Sequence, residues 1–112
     1  MGNEALALLK GTLDLLIMKT LSLGPLHGYE IAKWVQRKTN DALHIEYGAL
    51  YQALLRLEGK GWLQAEWRES PTGREVRFYE LTSKGKQQLE EQSERWERYV
   101  TAMNSVLRAM EA

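Results

Sequence analysis

The chain has 112 residues, 44% hydrophobic and 27% charged, with 15 lysines and arginines against 15 aspartates and glutamates, which fits one soluble domain and argues against a protein that coats nucleic acid by bulk charge while leaving room for a local basic surface. It contains no cysteine, so disulfides and thiolate chemistry are excluded and a reducing compartment is expected. "ALALL" before Lys10 is too short for a signal peptide, Leu6 breaks the glycine-acylation motif, and no run reaches the roughly 18 apolar residues of a membrane span; a cytoplasmic protein is expected.

The first helical pattern runs from about Thr12 to Leu23, with Thr12 as a candidate N-cap and Leu13, Leu16, Ile17, Thr20 and Leu21 recurring at helical spacing. Gly24-Pro25 ends it. Gly28 to Lys38 predicts a second helix, with Ile31 and Val35 inward and Lys33, Arg37 and Lys38 at the rim or outside. "TND" breaks that helix, and "ALHI" reads as a short extended piece. A third helix starts near Glu46 and stops on Gly59 and Gly61, with Tyr47, Leu50, Leu54 and Leu57 as its buried stripe. Its opposite side, Gly48, Ala49, Gln52 and Arg56, is small and polar. "WLQAEWRES" and "EVRFYELT" alternate as strands around the loop Pro71 to Arg74, with Leu63, Ala65 and Trp67 on one face of the first and Tyr79 and Leu81 on one face of the second.

From Thr82 to Ala112 the pattern is one long helix. Leu89, Ser93, Trp96, Val100, Met103, Leu107 and Met110 are separated by 4, 3, 4, 3, 4 and 3, a heptad seam interrupted by Ser93. About 28 residues of helix extend roughly 40 Å, further than the three-helix unit before it is wide. The seam therefore expects a partner, and a second copy of the chain is the simplest one. The only boundary is functional: residues 1–82 as one unit and 83–112 as a dimerisation helix.

The fold class is thus mainly α with a small β-hairpin, the order of a winged helix-turn-helix, followed by a long C-terminal helix. In that arrangement the third helix enters the major groove of double-stranded DNA and the hairpin reaches the backbone or minor groove. Gly48 and Ala49 allow close approach, and the unpaired N–H groups of the helix start suit phosphate. Gln52 can read a base edge and Arg56 a phosphate or guanine. Thr72, Gly73 and Arg74 form the wing tip, with Arg77 on the returning strand.

"LLKGTLDLLIMKTLSLGPLHGYEIAK", "GALYQALLRLEGKGWLQAEW" and "REVRFYELTSKGKQQL", together spanning roughly residues 8 to 89, resemble the PadR family of bacterial transcriptional regulators. The short last helix resembles its compact subfamily, in which that helix makes the dimer. The resemblance implies a dimeric, usually repressing, DNA-binding protein that often responds to a small molecule. It implies that Tyr29 and Lys33 meet phosphate, that Gly48, Ala49, Tyr51 and Gln52 begin the recognition helix, and that Gly73, Arg74 and Arg77 belong to the wing. Ala49 stands where the family usually has Ser or Thr, and Gln52 where it usually has Pro, so the operator sequence is left open. Trp34 stands where a polar or basic residue is more usual.

For most of these side chains a solvated surface is the competing reading, and Tyr51 flanks the core face closely enough for packing instead. Trp96 is either a dimer-core aromatic or, with Tyr99 and Met103, a platform for a planar apolar effector between subunits. His27, His44 and Glu46 do not make a metal set, and no cofactor is expected. An enzyme is disfavoured, because no Ser/His/Asp grouping, phosphate loop or glycine fingerprint is present and "GKGW" ends a helix instead of opening one. The rival class is a winged helix used for protein–protein contact, which zero net charge favours. As a dimer on a pseudo-palindromic site, the two recognition helices are expected about 34–36 Å apart.

Overall fold

The computed structural model describes residues 6–110. The outermost parts of the two expected units, residues 1–5 and 111–112, lie outside the described residues. The elements are α1 (Thr12–Leu21), β1 (Leu26–His27), α2 (Gly28–Lys38), α3 (Tyr47–Gly59), β2 (Leu63–Glu69), β3 (Glu75–Leu81) and α4 (Ser83–Leu107). α1, α2 and α3 pack around Ile17, Met18, Ile31, Val35, Leu50, Leu54 and Leu57, which are essentially inaccessible to solvent. Each such side chain contributes about 1.5–3 kcal/mol by leaving water, and together they fix the angle at which α3 is presented.

Several local expectations change. Thr12 does not cap α1; Gly11 holds that position with φ +88°, a left-handed geometry that suits glycine, and the Thr12 hydroxyl donates to the Leu9 carbonyl. α1 stops at Leu21, not Leu23, and Ser22 to Gly24 turn the chain. "ALHI" is not a strand. Within it Leu43 makes only an isolated parallel bridge to Leu6. Tyr47, expected in the buried stripe of α3, is exposed at the first turn instead.

The hairpin is part of a three-stranded antiparallel sheet in the order β1-β3-β2. Leu26 pairs with Tyr79 and His27 with Phe78, while Leu63, Ala65 and Trp67 stand opposite Leu81, Tyr79 and Arg77. These last six share the face turned toward α3. That face is core at Leu63 and Leu81 and opens to solvent at Trp67.

α4 starts at an N-cap Thr82, whose hydroxyl accepts from the Gly85 N–H at 3.0 Å and donates to the Gly61 carbonyl at 2.7 Å. Gly85 sits against the hairpin so closely that a Cβ there would come within 2.0 Å of the Trp62 carbonyl oxygen. Leu89 packs against the core of its own chain. Past it, Gln92, Arg95, Trp96 and Tyr99 still border α1 and the segment before it, and the rest of α4 runs on beyond them. Trp96, Tyr99, Met103, Val106 and Leu107 are exposed, and the helix ends at Leu107, so Met110, expected in the seam, lies beyond it. At about 1.5 Å per residue the 25-residue helix spans roughly 37 Å.

Candidate nucleic-acid interface

α3 turns Gly48, Ala49, Tyr51, Gln52, Leu55 and Arg56 to solvent and Leu50, Ala53, Leu54 and Leu57 to the core. Its N-cap, Glu46, makes no side-chain hydrogen bond to the helix start, and the first intrahelical bond is donated by Leu50. The N–H groups ahead of Leu50 therefore face outward without an intrahelical acceptor. Gly48 is not forced by packing, since a Cβ there meets nothing nearer than the Glu46 carboxylate at 3.7 Å.

An aromatic strip links α2 to α3. The rings of Tyr29 and Tyr47 stack at 5.9 Å, His27 stacks on Tyr29 at 6.4 Å, and the Lys33 ammonium lies 5.4 Å from the Tyr29 centroid. His27 opens α2 with a capping box: its Nδ1 accepts from the Glu30 N–H, while the Glu30 carboxylate accepts from the His27 N–H. Tyr51 packs over Gly28, where a Cβ would come 2.8 Å from the ring. Packing is thus part of what Tyr51 does, although its ring remains half exposed. Trp34, whose contact was open, packs partly on the core and carries the Lys38 ammonium 5.7 Å from its ring.

Between the start of α2, Tyr51 of α3 and the wing lies a cleft of about 820 Å³ lined by Tyr29, Tyr51, Trp67, Thr72, Arg74 and Arg77 among others. The wing tip is a tight turn: Ser70 and Thr72 hydroxyls share a hydrogen bond at 2.9 Å, and Gly73 has φ +85°. Arg74 is exposed and makes no ion pair among the described residues.

The other two arginines expected at DNA are engaged within the chain. Arg56 pairs with Asp14, tying α3 to α1. Arg77 Nη2 donates to Glu58 Oε2 at 2.7 Å, tying the wing to the last turn of α3. The Arg77 guanidinium lies 5.9 Å from the ring centroids of both Trp67 and Tyr79, and its Nε is buried with no partner. Burial pushes the Tyr79 phenol above its ordinary value; Arg77 opposes that shift, while Glu58 and Tyr51 reinforce it.

Two residues were missed. Trp67 was assigned to the core-sharing face of its strand and does lie on it, but it is 63% exposed and walls the cleft. Nothing on α3 itself identifies the partner of Glu58, which is 19 residues away.

On α4, the rings of Trp96 and Tyr99 lie 6.3 Å apart. Trp96 borders an apolar cleft of about 380 Å³ with Leu6, Leu9, Leu15, Leu16 and Leu43. A second cleft, of about 390 Å³, adds Gln92, Arg95 and Tyr99. Met103 sits two turns further along the helix.

A three-helix unit that presents an exposed helix face beside a wing is a winged helix-turn-helix. Residues 17–91 match the transcriptional regulator PadR-like family, and the chain belongs to that family; this match, and not the fold alone, makes it a DNA-binding regulator of transcription. Its fold is similar to that of a transcriptional regulator from Clostridium thermocellum, with TM-score 0.79 and 29% identity over 86% of this chain and 90% of that one. A PadR family transcription regulator from Clostridium difficile gives TM-score 0.76 and 33% identity over 87% and 99% of the two chains. An uncharacterized protein X of Lysinibacillus sphaericus is 30% identical over 89 residues, 80% of this chain and 82% of its own length. No helix among the described residues is long and apolar enough to cross a membrane.

Proposed function

We propose that the protein is a cytoplasmic homodimeric repressor that binds a pseudo-palindromic operator. Residues 1–82 form the DNA-reading unit and 83–112 the dimerisation helix. Gly48, Ala49 and Gln52 approach the major groove, with Gln52 reading a base edge and Ala49 lacking the hydroxyl common at its position. Tyr29, Lys33 and Tyr51 meet the backbone from one side, and Thr72, Gly73 and Arg74 meet it from the wing. Arg56 and Arg77 act chiefly through their partners on α1 and α3. The observation that carries this reading is the exposed small-and-polar face of α3 beside the wing cleft.

Dimerisation through Trp96, Val100, Met103 and Leu107 is supported by the exposure of Trp96, Met103 and Leu107 on α4, with Val100 half-buried between them. A planar apolar effector stacking on Trp96, with Tyr99 and Met103 beside it, is supported by the apolar cleft at its ring. The reading is tested by a mobility shift on the DNA upstream of the protein's own gene at two salt concentrations. Specific retardation that weakens with salt is expected. Indifference to DNA together with capture of a protein partner contradicts it.

A further inference from the structure

Nothing in the sequence of α3 gives Glu58 a role, and a carboxylate on the helix that approaches DNA is electrostatically adverse. Its position in the fold supplies a reason. β1 supports β3 only at Tyr79 and Phe78. The next residue toward the tip is Arg77, and from there outward the wing is a two-stranded ribbon. Such ribbons hold their geometry poorly unless something braces them. Arg77 Nη2 reaches Glu58 Oε2 at 2.7 Å at the point where the third strand runs out. The Trp67 and Tyr79 rings flank the guanidinium, so it is held in place and half-buried. In the same last turn, two residues earlier, Arg56 anchors α3 to Asp14 on α1. The recognition helix is thus joined by charge both to the body and to the wing.

We infer that Glu58 and Arg77 form a strut that sets the wing's angle against the recognition helix, making Glu58 a positioning residue for DNA binding although it touches no DNA. This rests on the proposed DNA-binding function and specifies how its two contact elements are held in register. Without the strut, α3 still docks, because its leucines are buried independently of the wing. The wing tip, with Arg74 at its end, then samples a range of angles, and its phosphate contacts weaken.

The test measures binding of the retarded upstream fragment by wild type, Glu58→Gln, Arg77→Gln and the double variant, together with hydroxyl-radical footprints and melting temperatures. Each single variant is expected to bind roughly tenfold more weakly, as expected for loss of one contact element. The double variant is expected to lose no more than either single one, because both changes remove the same interaction. The salt slope falls equally, by up to about one, in Glu58→Gln and Arg77→Gln, because both release the wing's phosphate contact, and protection is lost only at the flanking positions reached by the wing. Removing a negative charge should by electrostatics alone tighten binding, so weaker binding by Glu58→Gln is the distinctive result. Unchanged or tighter binding by Glu58→Gln overturns the strut. So does uniform loss of every protection with a lower melting temperature, or a fall of about one in the salt slope of Arg77→Gln alone, the mark of a direct phosphate contact. Wild-type protein indifferent to every fragment refutes the DNA-binding reading itself.

Discussion

α3 and the outer half of α4 carry the same kind of signal, apolar residues recurring at helical spacing, and they meet opposite fates. On α3, Leu50, Leu54 and Leu57 are fully buried, while on α4, Leu107 is 70% exposed and Trp96 and Met103 are also open. The difference lies in what stands opposite. α1 and α2 close over α3, whereas the part of α4 beyond Tyr99 borders no cleft with the body among the described residues. A hydrophobic stripe states that something must cover it without stating whether the cover belongs to the same chain. The two regions therefore divide the molecule into a closed core and an uncovered apolar stripe.

Substitutions should separate the two. Leu54→Ala opens a cavity in the closed core and is expected to cost about 2–5 kcal/mol, read by thermal or denaturant unfolding. Met103→Asp on the open stripe should leave the helical circular dichroism of the chain intact while abolishing self-association and retardation of DNA. A chain that unfolds with Met103→Asp, or a dimer that survives it, breaks the division. Gly85→Ala lies at the joint between the regions. Its methyl group meets the Trp62 carbonyl and has no room, so a loss of about 1–3 kcal/mol is expected, with a lower melting temperature.

Smaller effects sharpen the picture on the DNA side. Gln52→Ala is expected to relax preference at one base pair per half-site by about 1–3 kcal/mol. Arg74→Ala should weaken binding to all sequences alike and reduce the salt slope by about one. Identical behaviour of both variants across a set of mutated operators would mean that Gln52 reads nothing.

The smallest effect concerns pH. The raised Tyr79 value means that the folded chain holds the neutral phenol, so its contribution is complete below the free value of about 10 and fades as pH rises through the folded value. Tyr79→Phe should flatten that alkaline loss in melting curves.

The sequence made the helices legible because their period is long and repeated: α2 matches its expected span, and α3 and α4 match apart from their ends. It did not reveal β1, since two residues contain no alternation to detect and their pairing with β3 is decided across the fold. Arg56 and Arg77 were read as exposed cations because position on a face was visible and distant partners were not; Asp14 lies 42 residues from Arg56. Trp67 shows the converse. Its strand parity was read correctly, but the same face that is core at Leu63 becomes a cleft wall four residues later. Faces are written in the local pattern, whereas covers and ion pairs depend on topology.

The central claim, that two chains joined through α4 present two α3 helices to one operator, is tested most directly by analytical ultracentrifugation of the protein alone and with operator DNA. The account predicts a species of twice 12.9 kDa at micromolar concentration and two chains per duplex. A stable single subunit, or one chain per duplex, would contradict it.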